Sequence, residues 1–453
     1  ITHWAYDPDG LPIKVTTPGG DEVRYLYDAR GYVAQVDHTS FGVIRYVHDA
    51  DGHLVRADSP TSTHTWGYSN GFISHHQLNG DGETSTTAIT RGANGLIRSI
   101  ERDCVITTYA YDQGCQLTHA QGTHGSHEWV YDSSGRLVSH AAPGGSIHWF
   151  SYDQASQLVV HQHNGQTTRF TYDESGRRIG RHGEGSILEY DWDGRGWLRT
   201  ITTDHGDSTA HTEFWVNALG ELGSVDDSVL TWNYATTTPE LLSVGDAPVF
   251  VTPGGVGVGD KWVDSTWRIM RANQDGNPWS VLSTHQAVSP TNPVGVSPVG
   301  GVHVGEMEWM GARIYDPATH AFLTVDPLEP LIGAVWAGNP YAFAGNNPLH
   351  ALDPLGLRPV SDEELQAYND CNQGALAKAR DWVGNNWEYI AGGAMIAVGV
   401  GLMLTGIGGP VGAVVMGAAS GAFTAGGTSV ISQKFSDGEV DWGKVAQEAL
   451  IGG

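Results

Sequence analysis

Residues 131–137 read Tyr-Asp-Ser-Ser-Gly-Arg-Leu, and residues 172–178 read Tyr-Asp-Glu-Ser-Gly-Arg-Arg. The same aromatic–Asp pair, usually followed by glycine, recurs at Tyr6-Asp7, Tyr27-Asp28, Tyr111-Asp112, Tyr152-Asp153 and Trp192-Asp193, with degenerate copies at His48-Asp49 and Tyr68. Successive copies lie 20 or 21 residues apart, except across one gap of 43 residues that holds a worn copy around Asn94-Gly95. A period this regular indicates a repeat architecture.

Each repeat is predicted to be a β-hairpin. The aromatic residue ends a strand, the Asp accepts hydrogen bonds from the turn that it opens, and the Gly takes the left-handed position that closes the turn. A second turn, such as Pro143-Gly144-Gly145 or Asn164-Gly165, lies within many repeats. Because a single hairpin is marginal in water, the hairpins must stack into a continuous antiparallel ribbon. The carboxylates of the Tyr-Asp pairs are therefore interpreted as turn residues and not as catalysts.

The composition agrees with a mainly β chain of many tight turns. Glycine reaches 61 of 453 residues, and Trp and Tyr together reach 33, which suits aromatic residues on pleated surfaces and glycines at the corners. Acidic residues outnumber basic ones by 50 to 24. This excess argues against a nucleic-acid surface and is interpreted as an aid to solubility.

The cysteines and histidines do not form a recognisable metal motif. Cys104, Cys115 and Cys371 make no CxxC pair, and Cys104 and Cys115 are either a disulfide between neighbouring strands or two buried thiols. The 21 histidines are scattered, and pairs such as His75-His76 and His161-x-His163 are interpreted as surface strand residues rather than ligands. We expect no metal and no cofactor.

The repeat series resembles the YD repeats of Rhs proteins, of teneurins and of the C component of insecticidal Tc toxins. The resemblance covers residues 1–235 and implies a ribbon that spirals into a hollow shell. In residues 236–305 the pattern fades and Pro and Gly accumulate, so we expect degenerate shell strands and a long loop near 285–304.

Residues 306–357 contain four further blocks in a fixed order. They are Arg313-Ile314-Tyr315-Asp316-Pro317, Phe322-Leu323-Thr324-Val325-Asp326-Pro327, Tyr341 to Pro348 with Asn346 and Asn347, and Asp353-Pro354-Leu355-Gly356-Leu357. These blocks are very similar to the Rhs-associated core. The resemblance implies that this segment plugs one end of the shell and cleaves the chain between Leu357 and Arg358, using two aspartates that match Asp326 and Asp353.

Two carboxylates suit such a reaction because they cannot both ionise comfortably in a dry site. The ionised one can then activate water while the protonated one polarises the carbonyl, and the chain itself supplies the proximity. The alternative is structural, because Asp-Pro commonly opens a turn and Asp316 is a third copy of the dipeptide. Arg313, Asp316, Asn347 and Gly356 are expected to support the site, and for Arg313 a structural ion pair is favoured over a role in orienting a carboxylate.

The composition changes after Leu357, and residues 358–453 are expected to be a helical pre-toxin segment. Ser361 is expected to cap a helix, and Tyr389 to Gln433 contains no charged residue and is broken by Gly408-Gly409-Pro410. This stretch is either a pair of helices that crosses a bilayer or a pair that packs inside the shell. The chain opens and ends in mid-pattern, so it is interpreted as an excerpt of a longer polypeptide.

No HExxH, GxSxG or phosphate-binding loop is present, which argues against the common free-standing hydrolases. The function predicted is the encapsulating shell of a secreted bacterial toxin, an enzyme only on itself, with the toxin activity downstream of this chain. Its partners would be its own C-terminal toxin, a secretion apparatus or carrier, and a target membrane reached through 389–433. The alternative is a cell-surface adhesion or carbohydrate-binding module without catalysis.

Overall fold

The computed structural model describes residues 2–80, 82–234, 239–264, 277–279, 286–288, 292–297, 301–328, 334–353, 356 and 360–361. Within these ranges the protein is mainly β, with short 3₁₀ turns at Pro143–Gly145 and Ala344–Asn346. No helix in this part of the chain is long and apolar enough to span a bilayer. The helices expected after Leu357 lie outside the described residues.

Twenty-seven strands of the described residues belong to one antiparallel sheet, in which strands adjacent in sequence form the hairpins. These strands are β1 (His3–Tyr6), β2 (Pro12–Thr16), β3 (Glu22–Tyr27), β4 (Val33–His38), β5 (Gly42–His48), β6 (Leu54–Asp58), β7 (Ser62–Ser69), β8 (Phe72–Gly80), β9 (Glu83–Arg91), β10 (Ile97–Arg102), β11 (Val105–Tyr111), β12 (Leu117–Gly122), β13 (Gly125–Tyr131), β14 (Leu137–Ala142), β15 (Ser146–Tyr152), β16 (Leu158–His163), β17 (Gln166–Tyr172), β18 (Arg178–Gly183), β19 (Ser186–Trp192), β20 (Leu198–Asp204), β21 (Thr209–Val216), β22 (Leu222–Val225), β23 (Ser228–Asn233), β24 (Glu240–Val244), β25 (Ala247–Thr252), β26 (Gly255–Val258) and β27 (Lys261–Asp264).

A second sheet of short strands contains most of the region that follows. Its described strands are β28 (Gln286–Ala287), β29 (Val294–Val296), β30 (Val302–Val304), β31 (Met307–Met310), β32 (Arg313–Asp316) and β33 (Ala321–Phe322). The region near 285–304, expected to be a long loop, thus contains strands β28 to β30. The last pair is β34 (Ala351–Leu352) with β35 (Val360–Ser361), so Ser361, expected to cap a helix, pairs with Ala351 instead.

The chain divides into two compact units. Of the described residues, one unit comprises those in Ile1–Val36 and Trp232–Leu242, and the other comprises those in Asp37–Thr231 and Ser243–Leu365. In the first unit the Trp4 indole donates to the Asn233 side chain at 2.8 Å. The second unit contains the main buried cluster, in which residues of the repeats pack with residues of the later segment; they include Trp129, Phe150, Phe170, Tyr315, Phe322 and Phe343.

The turn at Asp132 shows how a repeat closes. The Asp132 amide donates to the Arg136 carbonyl, and the Gly135 amide donates to the Asp132 carbonyl, both at 3.0 Å. Asp132 Oδ1 accepts the amides of Ser134 at 2.9 Å and Arg136 at 3.1 Å, and Gly135 has a φ of 74°. The same side-chain pattern recurs at Asp7, Asp28, Asp49, Asp112, Asp153, Asp173, Asp193 and, with an amide oxygen, Asn217.

Two of the repeat turns closed by an aspartate place a residue larger than glycine in the left-handed position. Cys115 has a φ of 64° in the Asp112 turn, where the repeat pattern predicts glycine, and Ser156 has a φ of 61° in the Asp153 turn. Cys104 and Cys115 are both free and exposed. Both alternatives for these cysteines, a disulfide and two buried thiols, are therefore wrong, because each cysteine takes a left-handed conformation at the corner of a hairpin. Cys371 lies outside the described residues.

The aromatic residue of the Tyr-Asp pair joins its repeat to the one before. The hydroxyl of Tyr131 donates to the Leu117 carbonyl at 3.0 Å, and that of Tyr152 donates to the Leu137 carbonyl at 2.9 Å. A satisfied buried hydroxyl fixes the register more specifically than apolar packing alone. The stacking of these repeats therefore depends on side-chain hydrogen bonds as well as on ring burial.

We predict that Tyr131→Phe lowers the free energy of unfolding by about 1 to 3 kcal/mol, because the Leu117 carbonyl loses a buried donor while the ring stays in place. Tyr6→Phe is the control, since Tyr6 is 52% exposed. Urea unfolding followed by tryptophan fluorescence measures both. An equal, small effect of the two substitutions would show that the hydroxyl does not stabilise the stack.

Candidate functional site

Short strands of the second sheet position the residues around Arg313. The β31–β32 hairpin places Arg313 at the start of β32, opposite Met310. The Leu323 amide donates to the Ile314 carbonyl at 2.9 Å, and the Phe322 amide donates to the Tyr341 carbonyl at 3.0 Å. These bonds bring the segment that ends in Asp326 alongside the arginine.

Arg313 binds both of the predicted aspartates. Its Nη2 lies 2.7 Å from Asp353 Oδ2 and 2.8 Å from Asp326 Oδ2, and its Nη1 donates to the Pro340 carbonyl at 3.3 Å. The guanidinium carbon lies 3.7 Å from the centre of the Phe322 ring, so a buried aromatic face supports the cation. Burial lowers the pKa of Arg313, and the two carboxylates oppose that shift.

The two carboxylates differ in exposure. The Asp353 side chain is fully buried, whereas that of Asp326 is 20% exposed. The Asp326 amide donates to the Pro340 carbonyl at 2.9 Å, and Asp326 Oδ1 accepts the Leu328 amide at 2.9 Å. Burial raises the pKa of Asp326 to about 6, although Arg313 acts to lower it. Asp326 is therefore a carboxyl group that can exchange a proton near neutral pH.

Gly356 closes the Asp353 turn against the β31–β32 hairpin. Its amide donates to the Asp353 carbonyl at 3.1 Å, and its own carbonyl accepts the Arg313 Nε at 2.5 Å. Its φ is 61°, and a Cβ here would overlap the Met310 carbonyl oxygen. Glycine suits this turn because the backbone conformation and the space both disfavour a side chain.

Asp316 does not join this cluster. Its carboxylate lies 2.6 Å from Nη1 of Arg178, and both side chains are buried. Burial raises the pKa of Asp316, but the charges of Arg178 and Arg181 and the bond to Arg178 bring it below its ordinary value. The Arg178 amide also donates to the Leu323 carbonyl at 2.9 Å. We assign Asp316 to docking of this segment on the repeats.

Asn347 lies in a second docking contact. Its side-chain amide donates to the Cys115 carbonyl at 2.9 Å, and the neighbouring Asn346 donates to the Gly135 carbonyl at 2.7 Å. The Tyr341 hydroxyl donates to the Gly176 carbonyl at 2.8 Å. These three acceptors belong to the left-handed residues of three repeat turns. Residues 334–350, here called the docking segment, therefore lie along a row of such turns.

The structure thus brings together Arg313, Asp326, Asp353 and Gly356, and places Asp316 and Asn347 in contacts with the repeats. Leu357 and Arg358 lie outside the described residues.

Sequence reasoning missed Phe322, Pro340 and Arg178. Arg178 could have been found, because the buried position that it takes in its repeat is leucine in five others, at Leu117, Leu137, Leu158, Leu198 and Leu222. A cation in an apolar position indicates a buried partner.

We predict that Gly135→Ala destabilises the protein more than Gly185→Ala, by about 1 to 3 kcal/mol, because the added methyl overpacks the docking segment. Its Cβ would lie 2.7 Å from Trp336 Cα, whereas the Gly185 Cβ would meet nothing within 4 Å, and both glycines have a positive φ. Urea unfolding compares the two variants. Equal losses would mean that only the turn conformation matters at position 135.

Comparisons with known proteins agree with the repeat architecture. A family model described as Teneurin YD-shell matches residues 74–234, and one described as RHS Repeat matches residues 6–40. No curated protein matches the sequence.

The Tc holotoxin pore of Photorhabdus luminescens is similar in fold at 17% identity with a TM-score of 0.50, over 79% of this chain and 21% of that chain. The TcdB2-TccC3-Cdc42 structure gives 16% identity, a TM-score of 0.48 and the same coverage. The chain thus spans about a fifth of the length of these structures. By its motifs and by the two family models, which match residues 6–40 and 74–234, the repeat region of the chain belongs to the Rhs/YD-repeat family.

Proposed function

We propose that this chain is part of a hollow YD-shell that encloses the C-terminal toxin of its own polypeptide and cuts the chain between Leu357 and Arg358. The fold supports a toxin-associated YD-shell role in general terms. The observation that carries the proposed self-cleavage is the contact of Arg313 with Asp326, Asp353 and the Gly356 carbonyl. That carbonyl belongs to the residue directly before Leu357.

Charge balance assigns different states to the two acids. One arginine neutralises one carboxylate, so a second ionised carboxylate in the same partly dry site is disfavoured. Asp353 is fully buried against the arginine, and we assign it the ionised form. Asp326, whose pKa is raised by burial to about 6, then holds the proton.

The proposed reaction is hydrolysis of one peptide bond. Asp353 accepts a proton from a water molecule that attacks the Leu357 carbonyl carbon, while Asp326 donates its proton toward the carbonyl oxygen. Collapse of the tetrahedral intermediate breaks the Leu357–Arg358 bond, and a proton passes to the leaving amine. The products are a carboxyl group on Leu357 and an amino group on Arg358. Attachment of the bond to the site makes a modest rate sufficient for a single turnover.

The cargo would be residues from 358 onward and whatever follows them, held inside the shell and released from it after cleavage. A secreted or cell-surface location and a secretion or carrier partner are proposed from the family. The uncharged stretch 389–433 would either enter a target membrane or stay packed inside the shell.

We predict that the expressed chain runs on a denaturing gel as two fragments, residues 1–357 and 358–453, and that Asp353→Asn runs as one band. Asp326→Asn should slow cleavage by at least about 100-fold, in the range of a lost general acid. Asp193→Asn, in a repeat turn, is the matched control and should be cut like the wild type. Mass spectrometry of the fragments identifies the bond.

A single full-length band for the folded wild-type chain would contradict self-cleavage. Circular dichroism of each variant shows whether it has folded. The partly exposed Asp326 is the safer position to change, because its substitution leaves the buried Asp353–Arg313 pair intact. An uncut but folded wild type would favour the alternative, a binding module without catalysis.

We predict that the cleavage rate falls about tenfold per pH unit above pH 6, because Asp326 must be protonated and its pKa is raised to about 6. Chain dissolved in urea from insoluble aggregates, before it has folded and cut itself, can be diluted into buffers from pH 5 to 8, and the cut fraction followed with time. A rate that rises above pH 6 would make Asp326 the base and Asp353 the acid.

A further inference from the structure

Three histidine pairs in the sheet share one geometry. Nδ1 of the first histidine lies 3.0 Å from Nε2 of the second in His64/His76 and in His127/His140, and 2.9 Å in His148/His161. The ring centres lie 5.2, 5.3 and 5.2 Å apart, and the planes are within 30° of parallel. His76, expected at the surface, is buried with 5% exposure, and His161 and His163 are half-buried.

The local sequence explains the repetition. Two residues after the first histidine of each pair stands an aromatic residue on the same face of the strand, in the order Trp66, Trp129 and Phe150. Each of these is the direct cross-strand partner of the second histidine of its pair. Side chains two residues apart on a strand share a face, so the first histidine of each pair lies beside the aromatic residue. The second histidine lies opposite the same aromatic residue in the hairpin, so both imidazole rings pack against one aromatic side chain.

The second and third pairs form a continuous array. His140 lies opposite His148 across β14 and β15, with ring centres 5.5 Å apart. His148 in turn stacks on His163 at 3.8 Å. This group of five histidines runs over four strands, β13 to β16. We call it, together with the His64/His76 pair, the histidine array.

The segment after β32 docks on this array. The His320 ring lies 5.5 Å from that of His140 and 4.7 Å from that of Trp279. Its Nδ1 is sealed from solvent, with no hydrogen-bond partner in the described part of the chain, and its φ is 55°. His320 follows Asp316 by four residues, so the array contacts the segment that the Arg178–Asp316 pair fastens to the repeats.

Burial lowers the pKa of five of these histidines. The pKa falls to about 2 for His140, about 3 for His76 and His320, and about 4 for His148 and His161, with neighbouring imidazoles as a further cause. These five residues are therefore neutral at ordinary pH in the closed protein.

The charged groups that face the array compensate for added protons only at some of its histidines. Arg102 lowers the pKa of His76, and Arg181 lowers that of His161. Asp316 acts on His161 in the opposite direction, but its carboxylate is already bound by Arg178. Asp264 lies 3.8 Å from His64 and accepts the Ser62 hydroxyl.

We propose that the histidine array and His320 form an acid-sensitive latch, which holds the segment around His320 on the sheet. Protonation of these histidines opens the latch, because it loosens the pairing of β7 with β8 and of β13 to β16 and releases that segment. The hydrogen bond in each pair needs one hydrogen between the two facing nitrogens, so that one neutral ring donates and the other accepts. When both rings are protonated, two N–H groups face each other across that distance and the bond is lost. The ligand of this site is the proton, and the latch does not depend on whether the chain cuts itself.

The direction of the pH dependence follows from linkage. The closed state holds these five histidines below their unfolded pKa of about 6.5, so it binds fewer protons than the open state. Stability is therefore fully present above pH 6.5 and is lost as the pH falls toward the folded pKa values. At pH 5.5 each of them favours opening by about tenfold.

Urea unfolding of the whole chain at pH 7.5 and pH 5.5 tests the latch. We expect the unfolding equilibrium constant of the wild type to be larger at pH 5.5 than at pH 7.5. In the double variant His140→Gln/His148→Gln this increase should be smaller by about 100-fold, since two histidines no longer titrate. His124→Gln, at an exposed turn of the same hairpin as His127, is the control and should follow the wild type. An equal rise in the double variant would overturn the proposal.

Histidine C2-hydrogen exchange of the unaltered chain, read by mass spectrometry from pH 4 to 8, provides a test that needs no variant to fold. The exposed His124 is the internal reference. We expect His140, His148, His161 and His320 to stay unprotonated until the pH at which backbone amides of 316–323 begin to exchange fast. Titration of these four together with His124, with the segment still protected, would overturn the latch.

Discussion

In each repeat turn the aspartate carboxylate accepts hydrogen bonds from backbone amides of the same turn. The stacking of the repeats and the docking of the later segment both depend on these bonds. By accepting two amides of its own turn, the aspartate fixes a left-handed residue at each corner and turns that residue's carbonyl toward the end of the hairpin. Three of these carbonyls, at Cys115, Gly135 and Gly176, accept hydrogen bonds from the docking segment. A local turn motif repeated every 20 or 21 residues thereby becomes a row of acceptors for a distant part of the chain.

The docking segment in turn assembles the candidate site. Asn339 donates to the Gly135 carbonyl at 3.3 Å, Tyr341 donates to the Gly176 carbonyl at 2.8 Å, and Pro340 lies between them in sequence. The Pro340 carbonyl accepts from both the Asp326 amide and Arg313. The position of the two acids therefore depends on hydrogen bonds that span 204 and 165 residues of sequence. These bonds link any chemistry at this site to a completed sheet.

Much of this could be predicted from sequence, because the repeat rests on local rules. Asp and Gly in a turn, and apolar residues alternating along a strand, act within one hairpin. The contacts between residues far apart in sequence could not be predicted in this way, because they depend on which surfaces of the folded chain meet. The sequence does not show that Cys115 replaces glycine at its corner, that His76 is buried, or that Asp316 pairs with Arg178 while Asp326 and Asp353 share Arg313. The three Asp-Pro dipeptides are indistinguishable in sequence, and only the fold shows that their carboxylates have different partners. The arginine at position 178, where other repeats have leucine, was the one sequence signal for the docking of Asp316.

The two buried arginines, Arg178 and Arg313, have different roles, because the carboxylates around them differ in number and exposure. Arg178 binds the enclosed carboxylate of Asp316, so its charge is matched and the pair holds the segment in place. Arg313 has two carboxylates, one enclosed and one partly open to water, so the site carries one negative charge more than it can neutralise. Protonation of one carboxylate removes this excess negative charge. Asp326, the more exposed of the two acids, is the one that can exchange a proton with water. In the proposed cleavage, the unequal charges of Arg313, Asp326 and Asp353 are thus what would let this site, and not the Arg178 pair, transfer a proton.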